Sequence, residues 1–538
     1  MGPRRRDPGA SCSDGDRVSR RRLDDPEAGP NIEYAGWQPP PNRGAPNVVD
    51  RAPAATMSPK TFYDTYVAKR RPVVLTGGLQ GTPWGLCCET WTDKFLVGHP
   101  EGDASVRVET RKDGFGSYGV GKYHPMRFTD FVKRFANGDD SVYLTASPSS
   151  VDAHGRPSVV SAPASFLVGT HRPAKAPFRP KIAGNLVPAN VNLWMGAAGT
   201  EKVSKSGLHH DHHDNLYVLL RGEKKIELFP PSAVLSMYTT GTPCKVHKNG
   251  VINYKETGET AEDGDDGALR RRVLSANVRD AETEVEACEV LVANGEPEAE
   301  ARLRRAEEAL DQAMDGTIGD VGGDDDDDDD DENGAFAGRD DFDDVCDSDL
   351  ECVTGTDGED DGEDEDNLVT NGTDGTEMEG DVVVSGVRED ETREEKETET
   401  ENPEPDPPSF SKTSRGGDVS KSFPLFRHAR ETSMMETTVR AGEIIFLPAG
   451  WFHEVSSSGS GAAKKKEKQN GDDDADAKKK NQGGDQRNTQ HAALNYWFHP
   501  PVFGADFATP YGEKQEMWEQ DWSSWETLFD TEAGREKP

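Results

Sequence analysis

Residues 206–232 read SGLHHDHHDNLYVLLRGEKKIELFPPS. The stretch opens on a run of metal-capable side chains, His209-His210-Asp211-His212-His213-Asp214. An apolar run, Asn215-Leu-Tyr-Val-Leu-Leu220, follows it. Arg221-Gly222 then makes a turn, and Lys224-Lys-Ile-Glu-Leu-Phe229 is stopped by Pro230-Pro231. Short runs of branched and aromatic residues between turn formers predict two strands. Two His-x-Asp registers are present, His209/Asp211 and His212/Asp214. In an extended strand residues two apart share a face. Either pair can therefore offer a nitrogen and a carboxylate to one ion.

A second histidine would complete a two-histidine, one-carboxylate set. That set holds one octahedral face, leaves three positions open, and is the usual arrangement of non-haem Fe(II) oxygenases. The candidate is His453, at the end of Ala441-Gly-Glu-Ile-Ile-Phe-Leu-Pro-Ala-Gly-Trp-Phe-His453, just past a strand and a turn. A polar loop or an adventitious zinc binder can also be His-rich. The strand after the turn argues against that reading. Alternation puts Lys224 on the face of Ile226 and Leu228, and Lys225 with Glu227 on the other. A lysine on an apolar face must find an anion or lose its charge. Beside a metal with open positions it suits an acidic cosubstrate such as 2-oxoglutarate, a keto acid with a distal carboxylate.

These segments, with Val191-Asn-Leu-Trp-Met-Gly196 and Ala493-Leu-Asn-Tyr-Trp-Phe498, resemble the JmjC family of Fe(II)/2-oxoglutarate oxygenases, and within it the small cupin-like protein hydroxylases. The resemblance covers most of 57–255 and 420–510. It implies a mainly β fold with flanking helices, a double-stranded β-helix (jelly-roll, cupin) core. It also implies His209, Asp211 and His453 as iron ligands. The family's cosubstrate lysine lies 15 residues past the first histidine, which selects Lys224 and the first register and leaves His212 and Asp214 dispensable. Tyr143 and Ser206 match hydroxyls in the cosubstrate pocket, Asn215 and Asn495 match asparagines on the cosubstrate and oxygen side, and Trp497 matches an aromatic near the site. The implied activity is hydroxylation of a protein side chain, lysine, with Fe(2+), 2-oxoglutarate and molecular oxygen. Histone lysine demethylation by the same chemistry is the alternative, though no zinc-ligand spacing marks a reader domain. A non-catalytic cupin scaffold with an acidic histone-binding loop is the rival of another class.

The chain has 538 residues and a formal charge of −39, and only 33% of it is hydrophobic. Residues 251–410 hold 57 Asp and Glu against 12 Lys and Arg. The acidity thus belongs to one segment, and an overall charge of this sign predicts no direct nucleic-acid binding. The expected organisation is a basic disordered tail and lead-in over 1–56, the first part of the domain over 57–255, and an acidic low-complexity insert over 256–419. The second part of the domain spans 420–510, with a lysine-rich insert at 456–490, and a C-terminal amphipathic helix spans 511–538. Too little apolar surface is available for the acidic insert to fold, except at 297–314, where helix formers and acid–base pairs concentrate.

Seven scattered cysteines without a CxxC pair argue against a disulfide scaffold and a zinc finger. No apolar run is long enough to span a membrane, and the N-terminus lacks a secretory signal. A cytoplasmic or nuclear setting is expected, with Arg4–Arg6 and Arg20–Arg22 as a candidate address. Trp518, Trp522, Trp525 and Phe529 fall on one helical stripe. It can pack on the chain's own barrel or, as the resemblance implies, form a homodimer contact.

Overall fold

The computed structural model describes residues 29–110, 122–145, 158–169, 175–198, 204–318, 407–457 and 490–525, apart from 43, 266, 416–418 and 524. Two sheets dominate. The larger runs Asp50–Pro53, Val73–Thr76, Ile444–Leu447, Asp214–Arg221, Gln490–Phe498, Pro188–Ala197, Val142–Leu144, Ser105–Thr110, Lys122–Arg127. The smaller runs Asn47–Val48, Met435–Arg440, Glu223–Phe229, Phe452–Ser457, Ser204–Lys205. From Pro188–Ala197 to Gln490–Phe498 the core strands change sheet at every step but one, Glu223–Phe229 and Met435–Arg440 being neighbours in the small sheet, which is the winding of a double-stranded β-helix. Arg221-Gly222 therefore does not close a hydrogen-bonded hairpin. It carries the chain from the large sheet to the small one, and Gly222 has φ +86°. A Cβ at Gly222 would lie 2.7 Å from the Gln490 carbonyl.

The Asp214–Arg221 strand is buried on both faces. Tyr217 and Leu219 face the space between the sheets with Ile226, Leu228, Val439 and Ile445. Leu216, Val218 and Leu220 face the opposite layer, where helices cover the large sheet. Double burial is why this strand reads as a continuous apolar run rather than an alternating one. In the outer layer, helix Phe128–Ala136 buries Phe128, Phe131, Val132 and Phe135, as its spacing predicts. Ser58 caps helix Pro59–Phe62, its Oγ accepting from Thr61 N at 3.1 Å.

A buried ion pair ties the sheets' loops together. Arg70 and Asp214 are 1% and 0% exposed. The guanidinium grips the carboxylate at both oxygens, Nη1 to Oδ2 at 2.8 Å and Nη2 to Oδ1. Asp214 Oδ1 also accepts from Ala449 N at 2.8 Å, and Arg70 Nε donates to Asn249 O at 2.7 Å. Paired charges with their remaining hydrogen-bonding capacity filled are what such burial requires.

Several boundaries differ from the sequence reading. Ordered structure begins before Met57: Asp50–Pro53 pairs with Val73–Thr76, Val49 is buried, and Trp37 stacks on Trp451. Ala299–Ile318 matches the helix expected at 297–314, whereas Ala268–Ala293, in sequence expected to be disordered, forms a second long helix packed on it. Acid–base spacing and alanine content favour both helices. Ahead of them, Asp263 and Asp265 are buried against the C-terminal region. Lys514 Nζ bonds them at 3.2 and 2.7 Å, and Trp518 Nε1 donates to Asp263 Oδ2 at 3.1 Å. The chain from 407 to 413 is packed as well. At the C-terminus, Trp518, Trp522 and Trp525 are buried in the chain's own core, with Trp522 stacked on Phe178 at 4.9 Å. Phe529, Arg4–Arg6, Arg20–Arg22 and most of the lysine-rich insert lie outside the described residues.

The acidic insert is thus not uniform, and its ends carry structural contacts. Replacing 319–405 with a Gly/Ser linker of about 20 residues, averaging about 25 Å end to end, is expected to leave the melting temperature unchanged. Replacing 260–405 removes Asp263 and Asp265 and is expected to lower stability by roughly 3–5 kcal/mol. Differential scanning calorimetry of the two proteins separates the cases.

Candidate metal centre

His209 and His453 enter the site from adjacent segments that pair as an isolated antiparallel bridge. His209 N donates to His453 O at 3.1 Å and His453 N to His209 O at 2.7 Å. The bridge continues the register of the small sheet, where Leu228 lies opposite His453. Asp211 follows from the loop, and its carbonyl accepts from Gly450 N at 2.9 Å. Gly450 has φ +75°, and a Cβ there would sit 1.8 Å from the Gly250 carbonyl oxygen, so this turn admits only glycine.

Asp211 Oδ1 lies 3.9 Å from His209 Nε2, and Oδ2 lies 3.8 Å from His453 Nε2. One donor atom from each residue lies within 4.8 Å of the others. Each imidazole is oriented from behind. His209 Nδ1 is 3.0 Å from Gly207 O, and His453 Nδ1 is 2.9 Å from Trp451 O. A carbonyl can only accept, so Nδ1 is the donor to it, and in the neutral imidazole Nε2 is then the nitrogen whose lone pair faces Asp211. Burial alone would raise the Asp211 carboxyl, but the His453 and His209 imidazoles and the Asn215 amide outweigh it and hold it below the usual range. Two imidazole nitrogens and one carboxylate converging on a common point fit a divalent metal of the Fe(II) kind.

The rival register is occupied otherwise. Asp214 is locked to Arg70, and its Oδ1 takes a backbone amide. His210 is buried and bonds Tyr254 OH through Nε2 at 2.7 Å. His212 and His213 are half-buried, and His213 stacks on Trp497. Asp214 thus stands outside the metal-capable trio and has a structural role instead.

Behind the metal-capable trio lies a pocket enclosing about 760 Å³, part of it open to solvent. Tyr143, Ser206, Asn215, Lys224, Asn495 and Trp497 all line it. Alternation along Glu223–Phe229 works as the sequence suggests. Lys224, Ile226 and Leu228 point inward, while Lys225 pairs with Glu436 at 2.9 Å and Glu227 with Arg430 at 2.9 Å outside. Lys224 stands four residues from the Leu228–His453 pair, about 13 Å along the strand, and is 3% exposed. Its Nζ donates to Ser457 Oγ at 2.6 Å and lies 5.8 Å from the Tyr143 ring. No carboxylate among the described residues pairs with it. Burial pushes its pKa down from 10.5 to about 7.

Ser206 is turned to the backbone. Its Oγ donates to Gly207 O at 2.9 Å and accepts from Val455 N at 3.0 Å, which fixes the loop before His209. Ser457 makes the contact with Lys224 instead. The bounds expected for the lysine-rich insert include Ser457, yet the period-2 pattern His453, Val455, Ser457 marks one inward face. Gly196 of the Val191–Gly196 motif also has a use: a Cβ there would lie 2.4 Å from Tyr143 Cδ2, so glycine admits the Tyr143 ring. Phe410, stacked on His209 at 4.8 Å and 10°, had no signal, because it sits in low-complexity sequence. Asn215 Nδ2 donates to Asp211 Oδ2 at 3.3 Å. That bond assigns the amide orientation and leaves Oδ1 buried without a partner, as is Asn495 Oδ1.

The family profile described as a cupin-like domain matches residues 59–503. The chain belongs to that family. Its cupin-like domain is of the JmjC type. It is 26% identical over 474 residues to JmjC domain-containing protein 4 of Schizosaccharomyces pombe, covering 86% of this chain and 87% of that protein. It is 28% identical over 205 residues to tRNA wybutosine-synthesizing protein 5 of Danio rerio, covering 35% and 56%. It is 24% identical over 184 residues to the human bifunctional peptidase and (3S)-lysyl hydroxylase JMJD7, covering 32% and 52%. Relatives of this JmjC cupin thus include hydroxylases, and proteins named as demethylases also match it. Among the described residues no helix is long and apolar enough to cross a membrane.

Three outcomes are expected for the JmjC cupin site. His209→Ala, Asp211→Ala and His453→Ala are each expected to abolish stoichiometric Co(II) binding, read by its visible absorption, while His212→Ala keeps it. Asp214→Ala should unfold more easily by roughly 3–5 kcal/mol, because it strands Arg70. Lys224 gives a pH signature. Below about pH 7 the folded protein must hold a charged ammonium in a dry pocket, so the penalty is complete there. It fades as pH rises towards 10.5, where the unfolded chain also loses its proton. Lys224→Met is therefore expected to be more stable than the unsubstituted protein at pH 7, with the gain shrinking towards pH 10 in urea titrations.

Proposed function

We propose that the protein is an Fe(II)- and 2-oxoglutarate-dependent dioxygenase that hydroxylates a protein side chain, lysine. The observation that carries the proposal is the pairing of the backbone-oriented His209–Asp211–His453 trio with an unneutralised ammonium, Lys224, in one pocket. His209, Asp211 and His453 would hold Fe(II), which with 2-oxoglutarate and dioxygen would supply the oxidising power for hydroxylating a substrate C–H bond, with succinate and CO2 as coproducts. The chain's own groups do the rest. Lys224, supported by Ser457 and Tyr143, receives the distal carboxylate and regains its charge on doing so. The carbonyls of Gly207 and Trp451 keep the imidazoles in one tautomer. Ile226, Leu447 and the aromatic walls exclude water from the reacting region.

Lysine as the target is supported by the wall chemistry and by the human relative's name. Trp194, Phe410 and Trp497 offer apolar faces to an aliphatic stem. Asn215 Oδ1 and Asn495 Oδ1 are acceptors awaiting a donor, and an ammonium is one. The same centre acting on a methyl-lysine would demethylate it, and the mass change tells the two apart.

The test is succinate formation by purified protein with Fe(II), 2-oxoglutarate and candidate proteins, followed by mass spectrometry of the products. Gain of one oxygen on lysine is expected; loss of methyl groups would replace hydroxylation by demethylation, and no succinate above the His209→Ala background removes the enzymatic reading. In the same assay, Lys224→Ala should raise the 2-oxoglutarate concentration for half-maximal turnover by roughly 100-fold or more, from the 3–5 kcal/mol of a broken buried pair. Lys225→Ala, on the outer face, should leave it unchanged.

A further inference from the structure

Phe410 reaches the pocket from the chain that returns after the acidic insert. Its ring lies parallel to the His209 imidazole, 4.8 Å away at 10°, and the His453 ring stands 4.4 Å from the same imidazole. Phe410 is 5% exposed and is a wall of the pocket. The segment that carries it is held on both sides of the ring. Ser411 N donates to Leu208 O at 2.8 Å, one residue before His209. Thr240 N donates to Phe410 O at 2.8 Å, Gly241 N to Pro408 O at 3.0 Å, and Lys412 N to Tyr238 O at 2.9 Å. Ser411 Oγ is buried, sharing a hydrogen bond with Thr413 Oγ1 at 2.7 Å. A connecting linker has no need of such bonds. They fix the ring's position to within the stiffness of the surrounding backbone.

We infer that Phe410 is a positioning residue for the metal centre: the 407–413 segment holds its ring against His209, so the end of the acidic insert completes the site. The inference rests on the metal-dependent reading above. An imidazole whose Nδ1 is pinned to one carbonyl can still rock about that bond. A parallel ring at stacking distance removes this freedom and keeps water from the His209 side. Aromatic pairs of this kind are worth about three- to tenfold in an equilibrium constant.

The experiment uses the full chain and Co(II) as the metal probe, read by affinity and by the shape of its visible absorption, with thermal melting of the metal-free protein alongside. Phe410→Ala is expected to bind Co(II) about three- to tenfold more weakly with an altered band shape. Phe410→Tyr should restore both, and Lys412→Ala, an exposed neighbour on the same segment, should match the unsubstituted protein. Should Phe410→Ala not fold, Phe410→Leu keeps apolar volume without the ring and is read the same way. Unsubstituted protein that binds Co(II) while the ring-less variant gives equal affinity and spectrum overturns the inference alone. Equal loss in the leucine and tyrosine variants also overturns it, because the ring's stacking would then not be the cause. Unsubstituted protein that binds no Co(II) overturns this inference together with the metal-dependent reading.

Discussion

The buried Arg70–Asp214 pair is the constraint on which the site depends. Asp214 begins the strand that follows the metal-capable loop, and the same carboxylate accepts the amide of Ala449, in the turn that leads to His453. One anion therefore fixes the spacing of the two loops that bring His209 and Asp211 to His453. Arg70 extends the hold, bonding Asn249 O beside the tight contact of Gly250 with Ala449 and Gly450. Its own carbonyl accepts from Trp451 Nε1 at 3.2 Å. Arg70 has φ +55°, a conformation that side-chain-bearing residues seldom adopt, and the surrounding bonds over-determine it. Bidentate geometry and filled lone pairs make the arrangement tolerable in a dry interior.

Within that frame the site divides its chemistry between two ends of one pocket. At one end the Asp211 carboxylate faces the Nε2 atoms of His209 and His453, whose imidazoles hold its carboxyl below the usual range against the effect of burial. At the other end burial weakens the charge of Lys224 without supplying a counterion. The first end is ready for a cation and the second for an anion. On the proposed reading, a dicarboxylate that bridges a metal at the first end and Lys224 at the second would satisfy both. The neighbouring hydroxyls serve different masters: Ser457 supports the ammonium, whereas Ser206 is committed to the backbone of the loop it anchors.

The insert belongs to the domain at both of its ends. Asp263 and Asp265 fasten its start to Lys514 and Trp518, and 407–413 fastens its return to the His209 loop. Trp518 and Trp522 are thereby part of the chain's own packing, which uses the aromatic stripe internally. Long insertions are tolerated when their ends are fixed in this way, because closure entropy grows slowly with length.

Local pattern was enough to identify the strands about the site, the inward face of Lys224, and the candidate trio with its two registers, because period-2 alternation and turn residues act over a few positions. The cupin-like winding was implied by the resemblance of these motifs to a known family. Alternation alone fits both His-x-Asp registers, and it was the family resemblance, through the spacing to Lys224, that implied the first. The structure assigns the second carboxylate to Arg70, 144 positions away in the chain. Ser457 as the lysine's partner and Phe410 against His209 were likewise decided by tertiary packing. They come from stretches whose composition resembles linker, and only the folded backbone bonds around them distinguish them from it. Contacts between residues hundreds of positions apart leave no periodic trace in the sequence.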